Sequence, residues 1–511
     1  MPRRKRVAVR TVMSVSAMAL AVLTFTPGIA GASVLPTTIS ENLTLTASGS
    51  PYTGSTTIAS GATVVAEPGV LVKSGTITVN GTLKTNGTAE QPVVFTSAMD
   101  TAAGQWTGIK LQAGSGASRL SHVEIRYAKT AVAATAAVSP VIEDSFIHHN
   151  SERGISFSSG GAPEIARNLV ADNGNSGISF TFTGNGNQLN IHDNLVDGNK
   201  SGGIRVSPFS TATLGHVDFS GNEVTDNLGS PAIDFQAPTL PPDIDENFLS
   251  GNQKNGIWVS GTVDQSTTWQ DRGYPFVSTW SAITVEAGDT LTLDPGTTIK
   301  GDGRGMNVNG SLVADGTATE PITFTSLTDD SVDGDTNGDG SATVPVPGGW
   351  TGLVFPSVNN VELSYLAFHY AKVAIDIEYL DTITVRNSDF INNVAALEVA
   401  QTAENNPALG ALPCVPPYLS WLVSVNNWFG QTGVPTPSVD VASVIGAKIP
   451  EEYESMFGAF SSLASLSAPL YPGTDTIPFY IYSCPPAGIP PTPITPVSLM
   501  GIPFEPWFTD L

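Results

Sequence analysis

Asp335, Asn337 and Asp339 stand at alternate positions just ahead of Gly340, with Asp333 one step further back. Hard oxygen donors at every second residue before a glycine turn are what a calcium loop offers a cation. The run matches the opening of an EF-hand loop. Its twelfth position is Val346, however, so the bidentate glutamate is missing and other ligands must help, with Asp329 and Asp330 the nearest. The expectation is a calcium site on Asp333, Asp335, Asn337 and Asp339; the alternative is a solvated acidic loop.

A second set of chemical groups is Arg205, Asp234 and Trp258. An arginine can bind a carboxylate or neutralise an enolate, a carboxylate can take a hydroxyl, and an indole can stack on a sugar ring. Ordinary outward polarity is the competing account, with Trp258 packed beside Trp269 under a loop. Asp172 and Asp226 form a third set. Two coils of a solenoid would part them by about 9–10 Å, near the upper limit for an inverting carboxylate pair, although Asp before Asn at a bend is also common turn chemistry. The six histidines have no metal-ligand spacing, and adjacent His148 and His149 would face opposite sides of a strand.

These residues are set in a repeat. The phrase IEDSFIHHNSERGI from Ile142 returns from Ile165, Ile191, Phe219 and Ile244, and its shared Asn falls at Asn150, Asn173, Asn199, Asn227 and Asn252, with spacings of 23, 26, 28 and 25. After each closing stretch comes an apolar-polar-apolar triplet: Ile155-Ser156-Phe157, Ile178-Ser179-Phe180, Ile204-Arg205-Val206, Ile233-Asp234-Phe235 and Ile257-Trp258-Val259. Period two means strand, and one strand per repeat cannot bury its own apolar side, so successive coils must stack. The Asn residues then form a ladder at a bend, and Ser156, Ser179, Arg205, Asp234 and Trp258 form one outward file. By the same alternation Phe146, Leu169, Leu195 and Phe248 point outward as an apolar stripe interrupted by Glu223, which would call for a cover from the C-terminal segment or a second subunit. A bent strand that turns them into the core is the alternative.

A larger repeat lies over the first. Pro68-Gly69, Lys73, Val79-Asn80-Gly81, Phe95-Thr96-Ser97, Trp106-Thr107-Gly108 and Tyr127-Ala128-Lys129 recur as Pro295-Gly296, Lys300, Val308-Asn309-Gly310, Phe324-Thr325-Ser326, Trp350-Thr351-Gly352 and Tyr370-Ala371-Lys372. The solenoid therefore has two halves, 33–270 and 271–430. The second carries the acidic insert 329–341 and keeps one clear Asn phrase, from Val385. A continuous solenoid with its joint at Thr262 to Tyr274 avoids an open, unpaired end. From 431 to 511 the prolines forbid long ladders, and this stretch reads as an irregular C-terminal cap with a short helix near Glu451 to Leu466.

Residues 1–32 read as an export signal: Arg3, Arg4, Lys5, Arg6 and Arg10, an apolar stretch, and Ala30-Gly31-Ala32. No later apolar run is long enough to span a bilayer, so a secreted, extracellular protein is expected. Cys414 and Cys484 would then be bridged, a loop closure of roughly 4 kcal/mol by chain entropy. The formal net charge is −24, to which the leader contributes five positive groups. Nucleic acid is excluded as a partner on that account; cations and neutral or cationic glycans suit the surface better.

Taken together, these phrases resemble the right-handed parallel β-helix repeat family of secreted bacterial proteins, with pectate-lyase-like topology. The resemblance covers about 50–430 and extends to Asn426-Asn427-Trp428-Phe429-Gly430 and Pro506-Trp507. It implies an all-β right-handed solenoid, a calcium role for the insert, and a ligand cleft along an outer face near the Arg205 file. The family spans polysaccharide lyases, hydrolases, epimerases and adhesins, so fold alone does not select among them. No file concentrates the acid, base and charge-stabilising groups that catalysis demands. The leading expectation is therefore binding of an extracellular glycan or other macromolecule along an extended face. The alternatives are a polysaccharide lyase or glycoside hydrolase, using Arg205 with Asp234 or Asp172 with Asp226, and an adhesive scaffold.

Overall fold

A computed structural model describes residues 31–185, 187–208, 214–356, 361–377, 382–399, 421–425, 428–430 and 476–478. The expected leader, Cys414, Cys484, the helix near Glu451 and nearly all of the C-terminal cap lie outside them.

The chain is a parallel β-helix. One rung shows the plan: Phe146–His148 lies on a first wall, Ile155–Phe157 on a second and Glu164–Ala166 on a third. Each strand pairs in parallel with its counterpart one rung on, Leu169–Ala171, Ile178–Phe182 and Asn187–His192. Alternation sends Ile147, Val170 and Val196, and Ile155, Phe157, Ile178 and Phe180, into a continuous apolar core where each is at most 1% exposed.

The bends explain the polar letters of the repeat. Asn150, Asn173, Asn199, Asn227 and Asn252 are buried and stacked, the side-chain amide of each of the first four donating to the next Asn oxygen at 2.8–2.9 Å. Each Oδ1 also accepts a backbone N–H from the rung below, as Asn150 does from Ala128 at 2.8 Å. A second ladder, Asn168, Asn194, Asn222 and Asn247, does the same between the third and first walls. The residue just ahead of the first ladder is left-handed on every rung: Tyr127, His149, Asp172, Gly198, Asp226 and Gly251, with φ of 52–67°. Asn and Asp tolerate that conformation, and glycine favours it.

The first wall of the first half ends at Phe248–Ser250, but the second wall continues and forks. Within Phe276–Val285, Phe276 leads through Ile299 into the first wall of the second half, while Ile283 leads through Met306 into its second wall. The second wall thus runs unbroken from one half into the other, while the first-wall sheet stops at Phe248–Ser250 and the third-wall sheet at Leu214–Asp218, a new third-wall sheet starting at Thr267–Trp269. The insertion responsible is not in Thr262 to Tyr274 alone: pairing slips between Ser278 and Ile283, where Trp280 is left-handed and 70% exposed. The repeated landmarks keep their geometry, since Trp106 donates its indole N–H to the Arg126 carbonyl and Trp350 to that of His369, both at 2.8 Å. At the far end Trp421–Val425 closes the parallel ladder against antiparallel Thr476–Pro478.

Candidate functional site

The outward file forms as alternation requires. Ser156, Ser179, Arg205, Asp234 and Trp258 are consecutive partners on the second wall. Arg205 Nε lies 3.4 Å from Asp234 Oδ2, and Asp234 Oδ1 accepts from Gln236 Nε2 at 2.8 Å. Burial pushes the Asp234 carboxyl up, against the opposing pull of Gln236 and Arg205. Arg205 and Asp234 share a small cleft with Arg153, Ser176 and Ser201. Arg153 Nε and Trp258 Nε1 are both buried without an acceptor, so two donors along this face await one. Arg153 carried no signal in the sequence beyond its charge.

Trp258 is not packed on Trp269, which is fully buried and stacks on Phe276 at 4.2 Å. Instead its ring lies on the outer face with the Lys254 ammonium 5.5 Å from the centroid. Toward the third wall the lengthened strands frame an open concavity lined by Gln236, Ser260, Thr262, Ser281, Thr284 and Asn307 among others. It is shallow and mixed in character, with Pro208, Ala237, Pro238 and Ala282 also in its lining, and next in sequence to the exposed Trp280.

The acidic insert is organised differently from the expected set. Asp330, Asp335 and Asp339 bring carboxylate oxygens within 4.8 Å of one another. Asp333 is not in that group of three and is left-handed in a turn, whereas Asn337 lies against the group, its amide donating to Asp339 Oδ2 and Thr343 Oγ1 at 3.0 Å. Asp335 accepts the backbone N–H groups of Asp339 and Gly340, four and five residues on, while Asn337 Oδ1 and Asp339 Oδ1 each accept the N–H two residues on, as an Asx turn does. Asp330 Oδ1 is buried and has no hydrogen-bond partner, and burial together with Asp335 and Asp339 pushes its carboxyl up. That orphan oxygen and its two neighbours fit a hard divalent cation as a set of three carboxylates.

A cation already sits in the loop. Lys300 is fully buried, and its ammonium donates to the Asp329 carbonyl, the Gly334 carbonyl and Thr336 Oγ1 at 2.8–3.0 Å. Burial pushes its pKa down, while Asp333, Asp329, Asp330 and Asp335 pull it back up. The repeat had matched Lys300 to Lys73, but only the longer second-half loop folds over its lysine. Asp329 is held low despite burial by the nearby His369 ring, whose Nδ1 is 3.9 Å from Oδ2, and by hydrogen bonds from Ser331 and Thr325.

Two features sit at the left-handed bends. Asp172 and Asp226 are both left-handed residues of the bend, and the carboxylate of each lies over the glycine one rung on, where a Cβ at Gly198 would come 3.2 Å from Asp172 Oδ1 and one at Gly251 2.0 Å from Asp226 Oδ1. The pair belongs to the bend. His148 and His149 do not face opposite sides, because left-handed His149 ends the alternation and brings the two Nδ1 atoms to 2.8 Å. The outward stripe does form, with Phe248 54% exposed and Phe146, Leu169 and Leu195 half-buried.

Residues 103–270 match the family described as the right-handed β-helix region. No curated protein and no solved structure matches the chain. Among the described residues no helix is long and apolar enough to cross a membrane.

Proposed function

We propose that this protein, whose residues 103–270 belong to the right-handed β-helix region family, is an extracellular binder that holds a glycan chain along its second wall. The observation that carries the reading is the outward file of exposed Arg205 and half-buried Asp234 and Trp258, flanked by the unsatisfied donors Arg153 Nε and Trp258 Nε1 and continued sideways by the open concavity. Cation and carboxylate can engage ring hydroxyls, and the indole can take a ring face once the Lys254 ammonium over it is displaced. Retention of the full-length protein on a panel of insoluble neutral and uronate polysaccharides tests this, with reducing ends and unsaturated products followed together. Retention without turnover is expected. Trp258→Ala should weaken it about tenfold, as losing one stacked ring costs on the order of 1.4 kcal/mol. Turnover abolished by Arg205→Ala or Asp234→Ala would instead establish a lyase or hydrolase.

Calcium is proposed as the ion of the insert, held by Asp330, Asp335 and Asp339. Its binding would relieve the crowding that raises the Asp330 carboxyl. At a concentration a hundredfold above its dissociation constant it should stabilise the fold by about 2.7 kcal/mol. Asp330→Asn should remove the calcium-dependent rise in melting temperature; a rise that survives in that variant places the ion elsewhere.

A further inference from the structure

On the first wall, three rungs contribute one unbroken chain of ionisable groups. Arg126 grips Asp100 with two hydrogen bonds, Nε to Oδ1 at 2.7 Å and Nη2 to Oδ2 at 2.8 Å. Its remaining Nη1 donates to Glu124 Oε1. The same Glu124 oxygen lies 3.1 Å from His148 Nε2, and His148 Nδ1 lies 2.8 Å from His149 Nδ1. The chain runs from the half-buried Asp100 and Arg126 through the buried His148 to the exposed His149.

The chemistry of each member fixes the direction of the hydrogen bonds. An ionised Glu124 only accepts, so His148 Nε2 carries a proton. Burial holds the His148 pKa below its ordinary value, and hydrogen bonds from His148 and Arg126 keep Glu124 ionised although burial opposes them. Neutral His148 then presents a lone pair at Nδ1, so His149 must donate from its own Nδ1. The neutral His149 ring is thereby left with its basic lone pair on Nε2, an atom with no hydrogen bond to the described residues. A proton arriving there would place positive charge next to a polarised His148 and, through it, the Glu124 carboxylate. This is the relation of base and orienting acid used in general-base catalysis.

The neighbours of this pair of rings are apolar and aromatic. Phe146 stacks on the His148 ring at 3.8 Å, Leu169 and Leu195 continue the same outward file, and Tyr127 meets His149 edge-on at 6.3 Å. Thus the base stands beside an apolar strip, on a different wall from the Arg205 file.

We propose that the first wall carries a hydrolytic site for carboxylic esters in which His149 Nε2 is the general base, His148 and Glu124 are positioning residues, and the acyl group lies on Phe146 and Leu169. His149 Nε2 takes a proton from water as the water oxygen adds to the ester carbonyl carbon. Collapse of the tetrahedral adduct breaks the bond to the alcohol oxygen, which takes the proton back from His149. Ester and water become acid and alcohol, and the imidazole is restored.

The test uses the full-length protein with p-nitrophenyl acetate and p-nitrophenyl butyrate, set against free 4-methylimidazole at equal concentration. General-base catalysis contributes roughly 10²–10⁴-fold, so the protein should exceed the free imidazole at least about a hundredfold. His149→Asn should abolish that excess. Asparagine accepts a left-handed backbone, so the bend is kept, and an unchanged melting temperature checks this. Glu124→Gln removes the charge that stabilises the imidazolium; it should lower the rate about tenfold and move the midpoint of the rate–pH curve downward, which a purely structural role would not do. Phe146→Ala should raise KM for the butyrate more than for the acetate. A wild-type rate equal to free imidazole, or an excess that persists in His149→Asn, overturns the proposal.

Discussion

Replacing Lys300 by methionine is expected to unfasten the acidic insert and cost about 3–5 kcal/mol, the range for removing one member of a buried charged group and leaving the rest behind. The ammonium is the nearer of two donors to the Gly334 carbonyl, at 3.0 Å against 3.3 Å from Thr336 Oγ1, and it is one of the positive charges facing Asp329, which is itself 1% exposed. Methionine fills the stem's volume, so the loss is electrostatic and not a cavity. Hydrogen exchange would report it locally: the amides of Asp339 and Gly340, now bonded to Asp335, should exchange much faster in the variant. Equal protection in both proteins would mean that the loop folds on its own Asx turns and that Lys300 is incidental.

The second large effect is expected at the middle of the Asn ladder. Asn199 donates to Asn227 Oδ1 and to the Val170 carbonyl at 2.9 Å, and accepts from the backbone and side chain of Asn173 at 3.1 and 2.9 Å. Asn199→Ala strands the Asn173 N–H and the Val170 carbonyl inside a core that water does not reach. At about 1–3 kcal/mol for each unsatisfied group, the cost should be roughly 4 kcal/mol. Asn199→Asp keeps the acceptor, but it loses the donor and buries a charge beside Asn227 Oδ1, so it should be no better than alanine. Denaturant midpoints measure both. A loss below about 1 kcal/mol would show that the ladder follows the stacking instead of enforcing it.

The stacked rungs, the first ladder and the outward file of Arg205, Asp234 and Trp258 were all legible in the chain, because period-two alternation and an Asn recurring every 23–28 residues leave little freedom in how coils align. The acid–base chain on the first wall was not. Asp100, Glu124, Arg126 and His148 show no pattern along the sequence. They meet only when the rung holding Tyr127 and Ala128 is laid under the one holding His149 and Asn150, an alignment the Asn phrase does not announce because Ala128 takes the ladder place. The pairing of His148 with His149 was hidden for a local reason, since alternation says nothing once a residue turns left-handed. Lys300 was hidden for a tertiary one: its match to Lys73 showed an equivalent strand position but not which of the two loops would close over it.

The insert also sets a boundary on the second wall. Beyond Trp258 the file continues through Val277 to Lys300, and both point away from the core yet are fully buried. A polymer lying on Ser156, Arg205, Asp234 and Trp258 therefore meets a dead end, and can go on only by stepping sideways along the strands into the hollow of Ser260, Thr284 and Asn307. Such a track would distinguish a free chain terminus, which can abut the obstruction, from an interior stretch, which must bend to pass it.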